Sequence, residues 1–348
     1  MIGKDKSRKS SNAVTMHAVA ARAGVSPMSV SNVINGRKVR PETREAVLCA
    51  IAALNYKPNA AARALASAST MRIGLLYSSP DSAFVSALLV GALDAAARCD
   101  AQILLRRVPS VELDSVAAAL EGLIEEDGAN ALLLPAPHCE TVSGTPLARE
   151  LDVPLVALCP GSDLPDMTSV RVDDLQASFD MTNHLITLGH RRIGFIRAAQ
   201  NHIVSRTRYA GYVRALEQSG IALDPALVAD GDLTFDTGLG ATEALLDLPQ
   251  PPSAIFASND DTAAAVMSVA HRRNLRVPEQ LSIAGFDDSP ISRKVWPQIT
   301  TIRQPIVEMT QKAVELLATR FNQATADEPM PTVHADYTLL ARGSTGVH

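Results

Sequence analysis

Short polar side chains are concentrated in the stretch SPMSVSN, residues 26–32. An asparagine such as Asn32 can form two hydrogen bonds with atoms N6 and N7 of adenine in the DNA major groove. Pro27 and Met28 can offer only apolar contact, for example to a thymine methyl, and serine hydroxyls fit phosphate oxygens. The stretch therefore predicts DNA reading, with Asn32 as the main base reader. The alternative is that Asn32 is an exposed helix residue with no special role.

Two short helices on either side of a turn must position these side chains. The first has an apolar face of Val19, Ala20 and Ala23, and the second has the face Val30, Val33 and Ile34. Gly24 can end the first helix, Ser26 can cap the second, and Pro27 suits its first position because the missing N–H is not needed there. Pro41 can begin a third helix. The pattern is typical of a helix-turn-helix unit.

The charge of the chain is unevenly distributed. Residues 1–70 contain eleven Lys/Arg and three Asp/Glu, whereas the whole chain has a net charge of −5. A basic N-terminal part suits a module that neutralises phosphates, attached to an acidic body that DNA would repel. For Lys4 to Lys9 alone, the simpler interpretation is a disordered basic tail.

From Met71 onward, short β-branched or leucine-rich runs alternate with amphipathic helical stretches. The runs are RIGLLY, QILLRRV, ALLLP and PLVAL, and the pattern restarts after SVRVDD with RIGFI, AIFAS and LSIAGF. This alternation predicts parallel sheets covered by helices. The restart indicates two similar α/β lobes, and a cleft between them, at the carboxyl ends of strands, is where such a fold binds a ligand.

The stretch from Val14 to Leu65 resembles the headpiece of the lactose-repressor (LacI/GalR-type) family of bacterial transcription regulators. The resemblance continues through RIGLLYSS (72–79), LGHRRIGFI (188–196), SRTRYAGY (205–212), AIFASNDD (254–261), LSIAGFDDSP (281–290) and TTIRQP (300–305). It covers nearly the whole chain. It implies an N-terminal all-α helix-turn-helix headpiece with a hinge, followed by an α/β two-lobed core like that of periplasmic binding proteins, with parallel sheets.

The resemblance also implies the division of the chain. The expected parts are a disordered tail at 1–13, the headpiece at 14–58, a hinge helix or linker at 59–70, an effector-binding and dimerisation core at 71–342, and a tail at 343–348. Lobe 1 is expected to comprise about 71–170 plus 300–330, and lobe 2 about 171–299 plus 331–342. The alanine-rich linker is too short to hold a helix alone in water, so we expect it to fold on binding.

In the resembling family, the hinge helix lies in the minor groove, where a leucine from each subunit opens the central base step. Leu65 occupies that place, unless it is an ordinary linker leucine. The expected DNA-binding residues are Thr15, Ser26, Pro27, Met28, Ser29, Ser31, Asn32, Asn35, Arg44, Asn59, Arg63 and Leu65. One headpiece covers a half-site, so a homodimer on a palindromic operator in double-stranded DNA is expected. The last strand-like segment, 334–344, is followed by no leucine heptads, which favours a dimer over a tetramer.

By resemblance, five residues fall where family members contact their effectors: Phe84, Arg208, Asn259, Asp287 and Gln304. Arginine and aspartate side chains can each form paired hydrogen bonds with vicinal hydroxyls, and an aromatic ring can cover the apolar face of a sugar. The alternative for Asn259 is that it only caps the following helix.

Two positions depart from common family usage. Cys159 stands where a sugar-binding carboxylate is frequent, and Leu233 stands where a stacking aromatic is frequent. Phe235 and Trp296 are nearby candidates to replace that ring, so Cys159, Leu233 and Trp296 complete the expected effector site. A carbohydrate, or its phosphorylated or acidic derivative, is the expected effector, and a nucleobase-type effector is the alternative.

The function expected from this resemblance is repression of a carbohydrate-utilisation operon under the control of a small molecule. A periplasmic sugar-binding protein would share the two lobes but would need a signal peptide and would lack the headpiece. An enzyme would show a phosphate-binding glycine loop, a GxSxG elbow or a carboxylate cluster, and the sequence shows none of these. We expect no catalysis, no cofactor and no bound metal.

The four cysteines have no CxxC or metal-type spacing, which is typical of reduced thiols in a cytosolic protein. The N-terminus has no apolar signal sequence, and no run approaches the ~18 apolar residues needed to span a bilayer. The sequence therefore predicts a cytoplasmic protein without a membrane partner.

Overall fold

The computed structural model describes residues 16–34, 39–54, 56, 70–80, 82–198, 202–322 and 331–348, without the side chains of Ser31 and Ile34. Contacts within the chain divide it into two units, Met1–Thr70 and Met71–His348. In the ranges above, no helix is both long and apolar enough to cross a lipid bilayer.

The first unit contains three helices, α1 (Met16–Ala23), α2 (Pro27–Ile34) and α3 (Pro41–Ala53). Gly24 after α1 has a φ of 68°, a conformation that residues with a Cβ rarely adopt. The Ser26 hydroxyl accepts a hydrogen bond from the Ser29 amide at 3.2 Å and so caps α2. The helices share a small core of Val19, Ala20, Val30, Val33, Val47, Ala50 and Tyr56. The predicted helix-turn-helix unit is confirmed.

The second unit begins with lobe 1, a six-stranded sheet whose paired strands are all parallel. Its strands are β1 (Arg72–Tyr77), β2 (Gln102–Arg107), β3 (Ala131–Pro135), β4 (Leu155–Leu158), β5 (Thr168–Arg171) and β11 (Thr332–His334), in the order β11-β5-β4-β3-β1-β2. Its helices are α4 (Ala83–Arg98), α5 (Leu113–Glu125), α6 (His138–Val142), α7 (Leu147–Glu150) and α13 (Ile306–Asn322). Helices α4 and α13 pack on one face, and α5 and α6 pack on the other. Burial on both faces explains the nearly continuous apolar strand sequences.

Lobe 2 has the same layered arrangement. Its strands are β6 (Ile193–Arg197), β7 (Val228–Asp230), β8 (Ala254–Ala257), β9 (Ser282–Asp287), β10 (Thr300–Arg303) and β12 (Thr338–Leu340), in the order β12-β10-β9-β8-β6-β7. Strand β12 runs antiparallel to β10. Its helices are α8 (Asp174–Thr187), α9 (Ile203–Gln218), α10 (Phe235–Leu246), α11 (Asp260–Arg272) and the short α12 (Pro290–Lys294). Helices α8 and α9 cover one face of the sheet, and α10 and α11 cover the other. The predicted pair of α/β lobes is confirmed.

The chain crosses between the lobes at places that differ from the expected boundaries. Residues 300–303, which the sequence places in lobe 1, form β10 of the second sheet. Residues 332–334, which the sequence places in lobe 2, form β11 of the first sheet. Strands of three or four residues are held by hydrogen bonds to a strand that is distant in the sequence. The periodicity of such a short strand does not specify which of the two sheets contains its partner strand.

The last residues, 343–348, are packed against lobe 2, although the sequence suggests a tail. Ser344 is fully buried. Its hydroxyl accepts a hydrogen bond from the Thr300 amide at 2.8 Å and donates one to the Ile283 carbonyl. These residues therefore belong to the folded lobe.

Two glycines give a matched test of the packing that positions α9. A Cβ at Gly211 would overlap the carbonyl oxygen of Leu175 in α8, whereas a Cβ at the exposed Gly240 of α10 would meet nothing within 4 Å. We expect Gly211→Ala to lower the free energy of unfolding by about 1–3 kcal/mol. Gly240→Ala should leave it unchanged or raise it by up to about 1 kcal/mol, because alanine favours a helix. Urea denaturation followed by circular dichroism measures both, and equal effects would contradict the close α8–α9 contact.

Candidate functional site

Helix α2 presents the side chains predicted to read DNA on its exposed side. Met28 is 68% exposed, Pro27 is exposed and Asn32 is partly exposed, whereas Val30 and Val33 are buried against the other helices. The buried valines fix the rotation of α2 about its axis. The helix can therefore be laid in a major groove with its N-terminal side chains toward the bases.

Hydroxyl groups at the start of α2 are close to one another. The Ser26 and Ser29 hydroxyl oxygens are 3.0 Å apart and share a hydrogen bond. Arg44 is exposed on α3. The phosphate contacts predicted for these three residues stay predictions.

Several of the expected DNA contacts lie outside the described residues. They are Thr15, Asn35, Asn59, Arg63 and Leu65, together with the side chain of Ser31.

In lobe 2, the Arg208 guanidinium of α9 is the centre of a buried polar cluster. Its Nε donates to the Asp174 carboxylate at 2.8 Å, and its Nη1 donates to the Ser258 carbonyl at 2.6 Å. Its Cζ lies 3.6 Å from the centre of the Phe286 ring, in cation–π geometry. In the described part of the chain, Nη2 has no hydrogen-bond partner. The guanidinium is thus fixed by three neighbours, and its Nη2 group is not engaged by the described residues.

Asp287, the last residue of β9, is the second charged member of this cluster. Gln304, directly after β10, donates from Nε2 to Oδ1 of Asp287 at 2.6 Å. Arg208 Nη1 lies 3.9 Å from the same Asp287 oxygen. Burial raises the pKa of Asp287 from 3.8 to about 6, because the lost hydration of the carboxylate outweighs the attraction of Arg208. The backbone φ of Asp287 is 111°, a value that residues with a Cβ rarely adopt. The structure therefore brings Arg208, Asp287 and Gln304 together, and the effector contact expected for them stays a prediction.

Asn259 has the helix-capping role that the sequence left open. Its Oδ1 accepts from the Thr262 amide at 3.0 Å at the start of α11, and its Nδ2 donates to the Leu233 carbonyl at 2.9 Å. Leu233 is partly exposed and has a φ of 72°. Asn259 follows Ser258, so it adjoins the Arg208 cluster through the backbone. Both of its polar atoms are engaged, and its side chain holds the Leu233 backbone.

Lobe 1 contributes Cys159 and Phe84 to the expected site. Cys159 follows β4, is buried and has a φ of 54°. Burial raises the pKa of its thiol, and the nearby carboxylates of Asp174 and Asp287 raise it further, so this position carries a neutral group. Phe84, near the start of α4, packs partly buried against the core cluster that contains Cys159.

No residue of the Arg208 cluster lines the depression that contains Trp296, and the effector contact expected for Trp296 stays a prediction. Its side chain is 81% exposed, and it follows α12, which packs on the outer side of α11. Together with Phe235, Met267 and Ile291 it lines a surface depression of about 500 Å³. The replacement of the stacking aromatic at Leu233 by either ring stays a prediction.

Asp174 is the site residue that the sequence reasoning missed. It starts α8 and is nearly fully buried against Arg208. The available signal is its position in SVRVDD, just after the observed strand β5, because polar residues at the carboxyl ends of strands line the ligand edge of an α/β sheet. In the described ranges, no group of three or more His, Cys, Asp or Glu residues is arranged to hold a metal ion.

Comparison with known proteins gives matches at both ends of the chain. The family described as "Bacterial regulatory proteins, lacI family" matches residues 15–59, and a "Periplasmic binding protein-like domain" matches residues 182–345. Catabolite control protein A of Priestia megaterium is 33% identical over 320 residues, which cover 90% of this chain and 94% of that protein.

Two solved structures resemble the whole chain. The complex of the transcriptional regulator CelR with cellobiose has a TM-score of 0.70 and 31% identity, and covers 95% of this chain and 99% of that one. The Lac repressor dimer bound to operator and the anti-inducer ONPF has a TM-score of 0.79 and 26% identity. That match covers 96% of this chain and 100% of the Lac repressor chain.

Replacement of Asp287 tests the buried charge in this cluster. Asp287→Asn keeps an oxygen for Gln304 but removes the carboxylate, so we expect the ligand-free protein to gain about 1–3 kcal/mol in stability at pH 7.5. The wild-type protein takes up a proton at Asp287 in the folded state as pH falls from about 6 toward 4, and over that window its stability rises relative to the variant. The gain in melting temperature from the substitution should therefore shrink on acidification.

Thermal melts of both proteins between pH 4.5 and 8 measure this difference. Asp236→Asn, at an exposed carboxylate in the first turn of α10, is the matched control. A difference between wild type and Asp287→Asn that does not change with pH would show that Asp287 does not carry the buried charge.

Proposed function

The chain belongs to the lacI family of bacterial regulatory proteins, and we propose that it is a transcriptional repressor whose affinity for its operator depends on a small molecule bound between the two lobes. The observation that carries this proposal is the presence, in one chain, of an exposed reading helix and a two-lobed body with a buried, incompletely paired polar cluster. Helix α2 presents Met28 and Asn32 outward. Arg208 and Asp287 supply the polar cluster.

On DNA, we assign base reading to Asn32 and apolar contact to Pro27 and Met28, with the neighbouring serines and Arg44 on phosphates. Asn59, Arg63 and Leu65 are proposed for the hinge, with Leu65 in the minor groove. The relative that was solved on its operator is a dimer. A two-fold pair of headpieces requires a palindromic site, with half-sites spaced by the dimer.

In the cleft, we propose that the effector is a sugar or a sugar derivative. Asp174 is already paired with Arg208, so the Asp287 carboxylate is the acceptor left for ligand hydroxyls. Nη2 of Arg208 is the matching donor, and such charge-assisted bonds are about twice as strong as neutral ones. CelR is a transcriptional regulator solved with cellobiose. On the lobe 1 side, Cys159 supplies a small neutral thiol in place of a carboxylate. Because no negative charge is present at this position, a ligand with little positive charge on that side is favoured.

The polar groups of the cluster serve binding rather than catalysis in this proposal. Arg208 and Asp287 are fixed by protein hydrogen bonds, and the proposed site pairs no nucleophile with a base. A repressor acts on DNA in the cytoplasm, so we also place the protein there. The effector acts through its different affinity for two lobe arrangements, and a coupling of about 1–3 kcal/mol changes operator affinity about 5- to 150-fold.

A thermal-shift screen of the full chain against sugars, sugar phosphates and nucleobases tests the effector class. A sugar or sugar derivative should raise the melting temperature in proportion to the logarithm of its concentration. The same ligand should not shift Asp287→Asn, because the acceptor for its hydroxyls is lost, while Asp236→Asn should respond like the wild type. A rise in melting temperature with nucleobases alone would contradict the sugar proposal and identify a nucleobase-type effector.

Selection of duplexes from a random library tests the DNA-reading helix. Asn32→Ala should lose preference at one base pair of each half-site, worth about 1–3 kcal/mol, and keep its affinity for unrelated DNA. Glu45→Ala, at an exposed position of α3, is the control and should select the wild-type sequence. Identical selected sequences for Asn32→Ala and the wild type would exclude Asn32 as the base reader.

A further inference from the structure

Two direct hydrogen bonds join the lobes near Gly161, and one of them ends on the Glu140 carboxylate. Glu140 of α6 accepts from the Gly161 amide at 2.7 Å through Oε1, and from the Ile203 amide at 3.2 Å through Oε2. Gly161 follows β4 of lobe 1, whereas Ile203 is the first residue of α9 in lobe 2. The Thr207 hydroxyl, one turn further along α9, donates to the Gly161 carbonyl at 2.9 Å. These four residues, Glu140, Gly161, Ile203 and Thr207, are named the clasp.

The chemistry of the clasp suits a specific contact between lobes. The first amides of a helix have no partner within the helix, and the positive end of the helix dipole favours an anion. The Glu140 carboxylate of lobe 1 accepts a hydrogen bond from the Ile203 amide and places a negative charge at the positive end of α9. Burial raises the pKa of Glu140, but the amide hydrogen bonds from Gly161 and Ile203 oppose this shift and stabilise its charged form. The bonds are charge-assisted and partly shielded from water, which makes them strong.

Gly161 allows the lobes to approach closely at this point. A Cβ on Gly161 would overlap the backbone nitrogen of Val204, the second residue of α9. Any side chain at position 161 would therefore act as a wedge between the lobes.

The clasp residues adjoin, along the chain, residues of the expected effector site in both lobes. Cys159, on the lobe 1 side, is two residues before Gly161, and Arg208, on the lobe 2 side, directly follows Thr207. A shift of the start of α9 relative to lobe 1 would thus change the position of Arg208 relative to Cys159.

We propose that Glu140 is a positioning residue that holds the start of α9 on lobe 1 and thereby sets the closed arrangement of the cleft, with Gly161 as its required partner. Glu140 acts through α9 and does not itself need to touch the effector. The consequence for effector response rests on the proposed function, but the clasp itself does not.

Hydrogen–deuterium exchange of the full chain, without DNA or added ligand, tests the clasp. Glu140→Ala should speed exchange of the backbone amides of residues 203–207 by about tenfold or more, since a hydrogen bond to a charged acceptor is lost there. Glu140→Gln keeps one oxygen acceptor and should give a smaller increase. Glu121→Ala, at an exposed position of α5 in the same lobe, should leave exchange at 203–207 unchanged.

The readout in the opposite lobe separates a clasp from a merely local role. If Glu140 only stabilised lobe 1, its loss would speed exchange near residue 161 and leave 203–207 unchanged, and that result would overturn the proposal. Gly161→Ala provides a second route that leaves Glu140 intact, and it should reproduce the faster exchange at 203–207. Because neither measurement uses an operator or an effector, a failed ligand screen and a failed clasp are distinguishable.

Discussion

The burial of the Arg208 guanidinium is the constraint on which the ligand-binding body depends. A charge in this position requires partners, and Asp174, the Ser258 carbonyl and the Phe286 ring provide them from three different elements. Removing one partner of such a buried pair typically costs about 3–5 kcal/mol, so the elements that carry these groups are held in register. Asp287, only 3.9 Å away, adds a second carboxylate to a single guanidinium and leaves the cluster incompletely paired. The cluster thus contains a buried carboxylate that is incompletely paired, which is the group the proposed effector would complete.

The sheets explain why these groups meet. Parallel strands end at the same edge, so β8, β9 and β10 deliver Ser258, Asp287 and Gln304 side by side, while α9 lays Arg208 across them. The clasp at the start of α9 then joins this edge to lobe 1. A single helix therefore connects the contact between lobes with the Arg208 guanidinium, and in the proposed function a ligand would bias the lobe arrangement through this helix.

Local features were predictable from the sequence, and long-range pairings were less so. The helix-turn-helix unit depends on near neighbours, such as the Gly24 turn and the Ser26 cap, and the structure confirms it. Arg208 and Asp287 were expected at the site from the family resemblance, but the pairing of Arg208 with Asp174 arises from the packing of α9 on α8, which periodicity does not encode. The same limit explains the short strand β11, assigned to the wrong lobe. The position of Trp296 in a surface depression with Met267 and Ile291 likewise depends on packing that its distance along the chain from Leu233 does not encode.

The central claim is that ligand occupancy of the cleft changes the affinity of the headpiece for DNA. Fluorescence anisotropy of the full chain on a labelled duplex from the random-library selection, with and without a saturating concentration of the ligand that gives the largest thermal shift, measures this coupling. We expect saturable binding whose affinity falls linearly with salt on logarithmic axes, and a ligand effect of about fivefold or more in either direction. Operator affinity that is the same with and without the bound ligand would contradict the account.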